Sequence, residues 1–130
     1  MTDLADLELV ALDDVWVARL RGEIDLSNAD SIATAVEQVF GREGIGVVVD
    51  LTGVEYLDSA GVRLLFRIAR SSERDGWAMR AVVPAQSPVR RILDLTDVPG
   101  AIQLDESEET AVREIRSASV PNSEGVRQDD

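Results

Sequence analysis

The chain contains no cysteine and no histidine. The first absence excludes disulfides, thiol nucleophiles and thiolate metal sites. The second removes the commonest general base and the commonest metal ligand, and with them hydrolytic triads of the usual kind. Lysine is missing too, so all 13 basic residues are arginines, set against 25 acidic ones. The net charge of −12 and the pI near 4.3 set the surface against phosphate backbones and anionic lipid headgroups. No apolar run approaches the ~20 residues that span a bilayer. Met1 to Leu7 carries Asp3 and Asp6 and no basic residue, unlike a secretory signal. The expectation is a cytoplasmic protein with no membrane span and no direct contact with nucleic acid.

What is present is enough for one core: 130 residues, 45% of them hydrophobic. Leu7 to Leu12 and Val15 to Leu20 read as a hairpin turning at Asp13-Asp14. Ser27, with Asp30 three residues on, reads as the cap of a helix carrying Ala29, Ile32, Ala33, Val36, Val39 and Phe40, stopped by Gly41 and Gly44. Gly46 to Leu51 is apolar on both faces, which suits the middle of a covered sheet. Thr52 to Asp58 reads as a loop, and Ser59 to Arg74 as a helix burying Val62, Leu65, Phe66 and Ala69. Ala78 to Val83 reads as a strand. Ser87-Pro88 then opens a helix that ends before Pro99-Gly100. Ala101 to Leu104 is a short strand, and Ser107 caps a last helix with Ala111, Val112 and Ile115. The prediction is a single α/β domain over 7–117, with a mostly parallel mixed sheet of about five strands and four helices. Residues 1–6 read as a flexible start and 118–130 as a disordered tail.

In such sheets function gathers outside the carboxyl ends of the strands. Two loops leave those ends. One holds Glu23, Ile24, Asp25, Leu26 and Ser27. The other holds Tyr56, Leu57, Asp58, Ser59, Ala60 and Gly61. Ser59 or Asp58 caps the helix that follows. The free N–H groups and the dipole at such a helix start tolerate a phosphate. Phosphorylation of Ser59 would add about −1.5 to −2 charge beside Asp58. Asp25 and Asp58 lack a third carboxylate or a histidine at metal spacing, so they read as caps or orienting groups, with no metal and no cofactor implied. No catalytic residue is singled out. Trp16 and Trp77 read as core or rim packing, and the acidic cluster from Asp105 to Glu109 as a helix start.

Val47-Val48-Val49-Asp50-Leu51-Thr52-Gly53-Val54-Glu55-Tyr56-Leu57, followed by Asp58-Ser59-Ala60-Gly61-Val62, resembles the signature of STAS domains. Gly22-Glu23-Ile24-Asp25 resembles that family's second marker, at the right distance upstream. Among STAS domains the chain most resembles bacterial anti-sigma factor antagonists, over Leu7 to Arg116. The resemblance implies a partner switch in transcription regulation and stress response. The unphosphorylated antagonist binds an anti-sigma factor that is also a serine kinase and so frees a sigma factor. The kinase phosphorylates Ser59, the complex parts, and a serine phosphatase resets it. The interface so implied comprises Asp25, Ser27, Asp58, Ser59, Ala60, Gly61, Val62, Arg63 and Arg67. Where antagonists often carry glycine, this chain has Arg63. Arg63, Arg67, Arg70 and Arg74 form one basic stripe, either a solvated face or a match for acidic residues of the kinase. The alternatives are a STAS interaction module in another signalling or lipid-transport complex, and a small-ligand or nucleotide sensor using the same loops. The sequence has neither G-x-x-x-x-G-K-[ST] nor G-x-G-x-x-G to support the latter.

Overall fold

The structure, a computed structural model, describes residues 5–119. Residues 1–4 and 120–130, which hold most of the expected flexible start and tail, lie outside the described residues. The strands β1 (Ala5–Leu12), β2 (Val15–Ile24), β3 (Gly46–Leu57), β4 (Ala78–Val82) and β5 (Gln103–Asp105) form one sheet in the order of the chain. β1 and β2 are the antiparallel hairpin, and every later pairing is parallel. Among the described residues five α-helices accompany it: α1 (Ala29–Glu37), α2 (Ser59–Arg74), α3 (Arg90–Asp94), α4 (Val98–Ala101) and α5 (Glu108–Ser119).

Strand alternation divides the core in two. Ala18 and Leu20 of β2, Val47, Val49 and Leu51 of β3 and Ala81 of β4 face α1, α2, α3 and α4. Val15, Val17, Val48 and Val82 face the other way, onto Ala111, Val112 and Ile115 of α5. A β-branched run buried on both faces is therefore the central strand, as its composition requires.

Several local expectations are corrected. Thr52 to Leu57 is strand, because Val54 and Leu57 stay buried along it while Thr52, Gly53, Glu55 and Tyr56 face solvent. The buried stripe of α2 centres on Leu64, Leu65 and Ile68, and Val62, Phe66 and Ala69 sit half-buried at its flank. Ser87 does not cap a helix: α3 starts after Val89 with no side-chain cap, and the Ser87 hydroxyl is buried without a partner. The chain then breaks into α3 and α4, with Leu95 84% exposed near the break. Asp105 ends β5, buried and held by Arg80 at 2.7 and 3.1 Å. Ser107 does cap α5, its Oγ accepting the Thr110 N–H at 3.1 Å. α5 also takes in Ala118 and Ser119. Trp77 packs edge-on against Phe40 and Trp16 lies beneath Arg42, so both serve as rim packing.

On the α5 face the sheet carries a charged clamp. Arg19 of β2 holds Glu108, the first residue of α5, by two hydrogen bonds of 2.7 and 2.9 Å. That grip, with a bond from Asp50, holds the Glu108 carboxyl down to about 2. Burial pushes Asp50 up from the ordinary carboxylate value, and its bond to Glu108 adds to the shift. The two groups have opposite linkage. Glu108 contributes stability above its unfolded value that is lost as pH falls through about 2. Asp50, with a raised folded value, loses stability as pH rises through that value. Asp50→Asn keeps an acceptor for the Thr52 N–H and Oγ1, now bound at 2.9 and 2.6 Å, and offers Glu108 an amide N–H at every pH, with no proton to be taken up. This variant is expected to be more stable at pH 7 by about 0.5–1.5 kcal/mol. The gain shrinks at pH 4. Thermal melts at both pH values check it, and an equal or larger gain at pH 4 would contradict the assignment.

Candidate functional site

The carboxyl ends of β2 and β3 lie side by side, with Ile24 opposite Leu57. The Asp58 N–H donates to the Ile24 carbonyl at 3.2 Å, which joins the two loops. Gly22, near the end of β2, has φ +95, a left-handed conformation that favours glycine, where the register between the strands shifts. Asp25 then folds the chain back on itself. Its Oδ1 accepts the Ser27 N–H at 2.9 Å and the Ser27 hydroxyl at 2.5 Å. Asn28 closes the turn: its Oδ1 accepts the Asp25 N–H at 3.0 Å and its Nδ2 donates to the Glu23 carbonyl at 2.9 Å.

This corrects the expected capping box. The residue before α1 is Asn28, which makes no side-chain cap, and Ser27 is bound to Asp25 instead. Asn28 was missed as a site residue. Its signal was an Asp-x-Ser-Asn run before an amphipathic helix, where short polar side chains bond nearby backbone.

In the second loop Asp58 is the cap of α2. Its Oδ1 accepts the N–H groups of Ala60 at 2.8 Å and Gly61 at 3.3 Å. The free donors expected at this helix start are therefore partly spent by Asp58. Ser59, the first residue of the helix, is exposed, and its hydroxyl has no hydrogen-bond partner among the described residues. Beneath it Ala60 and Gly61 are buried. A Cβ on Gly61 would lie 2.8 Å from Leu57 Cβ and 3.4 Å from Ile24 Cγ2, so the glycine lets the first turn sit on the strand ends. Gly61 serves the site from below and presents no side chain outward. The same two loops carry Leu26, 76% exposed, and Tyr56, 47% exposed. The sequence alone singles out neither, and of the two Tyr56 is of a residue type enriched at the energetic centres of protein interfaces.

The arginine stripe is divided by the fold. Arg67 grips Glu37 of α1 with bonds of 3.0 and 2.8 Å, and also reaches Thr34 at 3.3 Å and Asp30 at 3.5 Å. Its bonds are the main reason the Glu37 carboxyl lies below the ordinary range. Arg67 is thus a strut between α1 and α2, with its side chain still 36% exposed. Arg63 and Arg70 are exposed and make no ion pair or hydrogen bond with any described residue. Between the two helices lies a groove of about 310 Å³, lined by Leu26, by Ala29, Asp30 and Ala33 of α1, and by α2 from Ala60 to Arg70, including Arg63, Arg67 and Arg70. No cluster of three or more potential metal-ligating groups occurs among the described residues. No helix among them is long and apolar enough to cross a membrane.

The sequence matches the family model described as STAS domain over residues 6–111. The chain belongs to the STAS domain family. It is 35% identical over 77 residues to the anti-sigma-F factor antagonist RsfB of Mycobacterium tuberculosis, an overlap of 59% of this chain and 61% of that protein. The chain therefore aligns with less than two thirds of that curated relative. An anti-sigma factor antagonist from Mycobacterium paratuberculosis has a similar solved structure, with TM-score 0.69, 28% identity, and coverage of 86% of this chain and 94% of that one. The phosphorylated form of the Bacillus cell fate determinant SpoIIAA shares the STAS fold, with TM-score 0.65 and 19% identity over 85% of this chain and 100% of that one.

Proposed function

We propose that this STAS domain is an anti-sigma factor antagonist switched by phosphorylation of Ser59. The observation that carries the reading is the setting of that serine. It is exposed on the first turn of α2, its hydroxyl unengaged among the described residues, while Asp58 and Gly61 fix the turn beneath it. A nucleophilic hydroxyl held outward on a rigid turn can enter a kinase active site without local unfolding. The names of the relatives support the same reading.

In this account the unmodified domain docks through Leu26, Tyr56, Ser59, Val62 and Arg63 onto an anti-sigma factor with serine kinase activity, and a sigma factor is released. The kinase moves the γ-phosphoryl group of ATP to Ser59 Oγ. ADP leaves, and the hydroxyl proton passes to a base of the kinase. The phosphoserine repels the surface that accepted the neutral hydroxyl. A serine phosphatase returns the chain to its binding form by hydrolysis to inorganic phosphate. The domain contributes recognition and an acceptor, requires no cofactor, catalyses no step itself and works in the cytoplasm.

The test is displacement. Purified chain is added to a preformed complex of a candidate kinase with its sigma factor, and free sigma factor is measured by size exclusion. Release by the unmodified chain, abolished after incubation with ATP, is expected. Failure to release it from any such kinase of the host would overturn the reading.

Arg63 makes a separable contribution. Charge reversal in Arg63→Glu is expected to slow association with the kinase, with an effect that weakens as salt rises. Stopped-flow association at two ionic strengths checks this, and unchanged association at low salt would remove Arg63 from the interface.

A further inference from the structure

Arg63, one helical turn beyond Ser59, is a cation with no partner among the described residues. We propose that a phosphate on Ser59 captures Arg63 from the same helix, so that modification both adds negative charge to the docking face and withdraws the nearer of the two arginines there, Arg63 and Arg70, that are unpaired among the described residues. The inference rests on the reading of Ser59 as the phosphorylated residue and deepens it, by naming the group that the chain itself supplies to the phosphate.

Three observations carry it. The first concerns backbone donors. The N–H groups of Ala60 and Gly61 are already bound by Asp58 Oδ1, so a phosphate on Ser59 does not inherit them. It also stands next to the Asp58 carboxylate and needs a counter-charge from elsewhere. The second concerns the other arginines of α2. Arg67 is held by Glu37 through two bonds and by Asp30 through a third. Arg70 lies eleven residues beyond Ser59, about 16 Å along the helix axis. The third concerns direction. Residues four apart share a helix face, and side chains lean toward the helix N-terminus, so the long Arg63 side chain is carried back toward position 59. An anion N-terminal to a cation at this spacing is the favourable order. A guanidinium can give a phosphate two parallel hydrogen bonds, which a glycine at this position cannot replace.

The consequence for the switch is mechanical as well as electrostatic. In the unmodified chain Arg63 stands beside the groove between α1 and α2, free for a carboxylate of the partner. In the phosphorylated chain it turns to its own helix. The partner then meets added negative charge and loses that arginine in the same event.

The test uses the full chain with phosphoserine installed at position 59 during synthesis. The second ionisation of the phosphate, ordinarily at about pH 6, is followed by phosphorus NMR at low salt. Arg63→Gln is expected to raise it by roughly 0.15–0.4 unit relative to the parent chain. Arg70→Gln, about 16 Å away, raises it by less. The same value in the parent and in Arg63→Gln would overturn the proposal, as would an equal rise in Arg70→Gln. Circular dichroism of each protein confirms the fold. Because the phosphate is installed, this result is independent of whether any kinase modifies the chain. Absence of phosphate on Ser59 in the host would defeat the switch while leaving the titration intact.

Discussion

Ser59→Glu is expected to weaken binding to the partner kinase roughly 100-fold, since like charges set against each other cost several kcal/mol and each 1.4 kcal/mol is tenfold. The fold should not register the change. Ser59 is exposed at the first position of α2, and an acidic side chain in a first turn complements the helix dipole. The melting temperature is therefore expected to stay within about 2 °C, as surface changes of about 0.5 kcal/mol or less do. Ser59→Ala is the counterpart. It keeps the neutral surface and should bind within about threefold of the parent, because an exposed side chain without partners carries little energy. It can no longer be released by ATP. Titration calorimetry on the three proteins checks all of this. Glutamate binding as tightly as serine would mean that the docking surface does not include position 59.

Gly61→Ala is expected to act in the opposite way, on the fold first and on binding through it. The added methyl would stand 2.8 Å from Leu57 Cβ and 3.6 Å from the Ile24 carbonyl, at the paired ends of β3 and β2. Neither neighbour is a flexible chain end, so the first turn of α2 must lift. Overpacking of this kind costs about 1–3 kcal/mol. The better helix propensity of alanine returns at most about 1 kcal/mol. The net loss, about 2 kcal/mol where the turn cannot relax, should lower the melting temperature by up to about 10 °C. The lifted turn also carries Ser59, so the phosphorylation rate should fall while Ser59 itself is intact. A variant melting at or above the parent would show that the turn has room, and that the glycine answers to something other than packing.

These two residues also show what sequence can and cannot reveal. The two motifs and the alternation of elements were legible because each obeys a local rule. Val47, Val48 and Val49 are β-branched and apolar on both faces, and they form the central strand. Asp58 and Ser59 stand where a helix must start, and the structure chooses Asp58 as the cap. The misreadings came where tertiary contacts override local preference. Thr52-Gly53 suggests a turn, yet β2 extends alongside and keeps the chain in the sheet as far as Leu57. Ser27 is a good cap by type, but Asp25 binds its hydroxyl first. Arg67 looked like its neighbours Arg63 and Arg70. Only the packing of α1 on α2 brings Glu37 within 2.8 Å of it, and no spacing within α2 announces a partner 30 residues away. Leu26 and Tyr56 show the converse, since their exposure is a property of the assembled surface.

The most direct test of the account is phosphopeptide mass spectrometry on the protein recovered from its host, during growth and under stress. Phosphate on Ser59, with an occupancy that changes between the two conditions, is the predicted result. An abundant protein with Ser59 unmodified in every condition would contradict the switch and leave a constitutive STAS interaction domain.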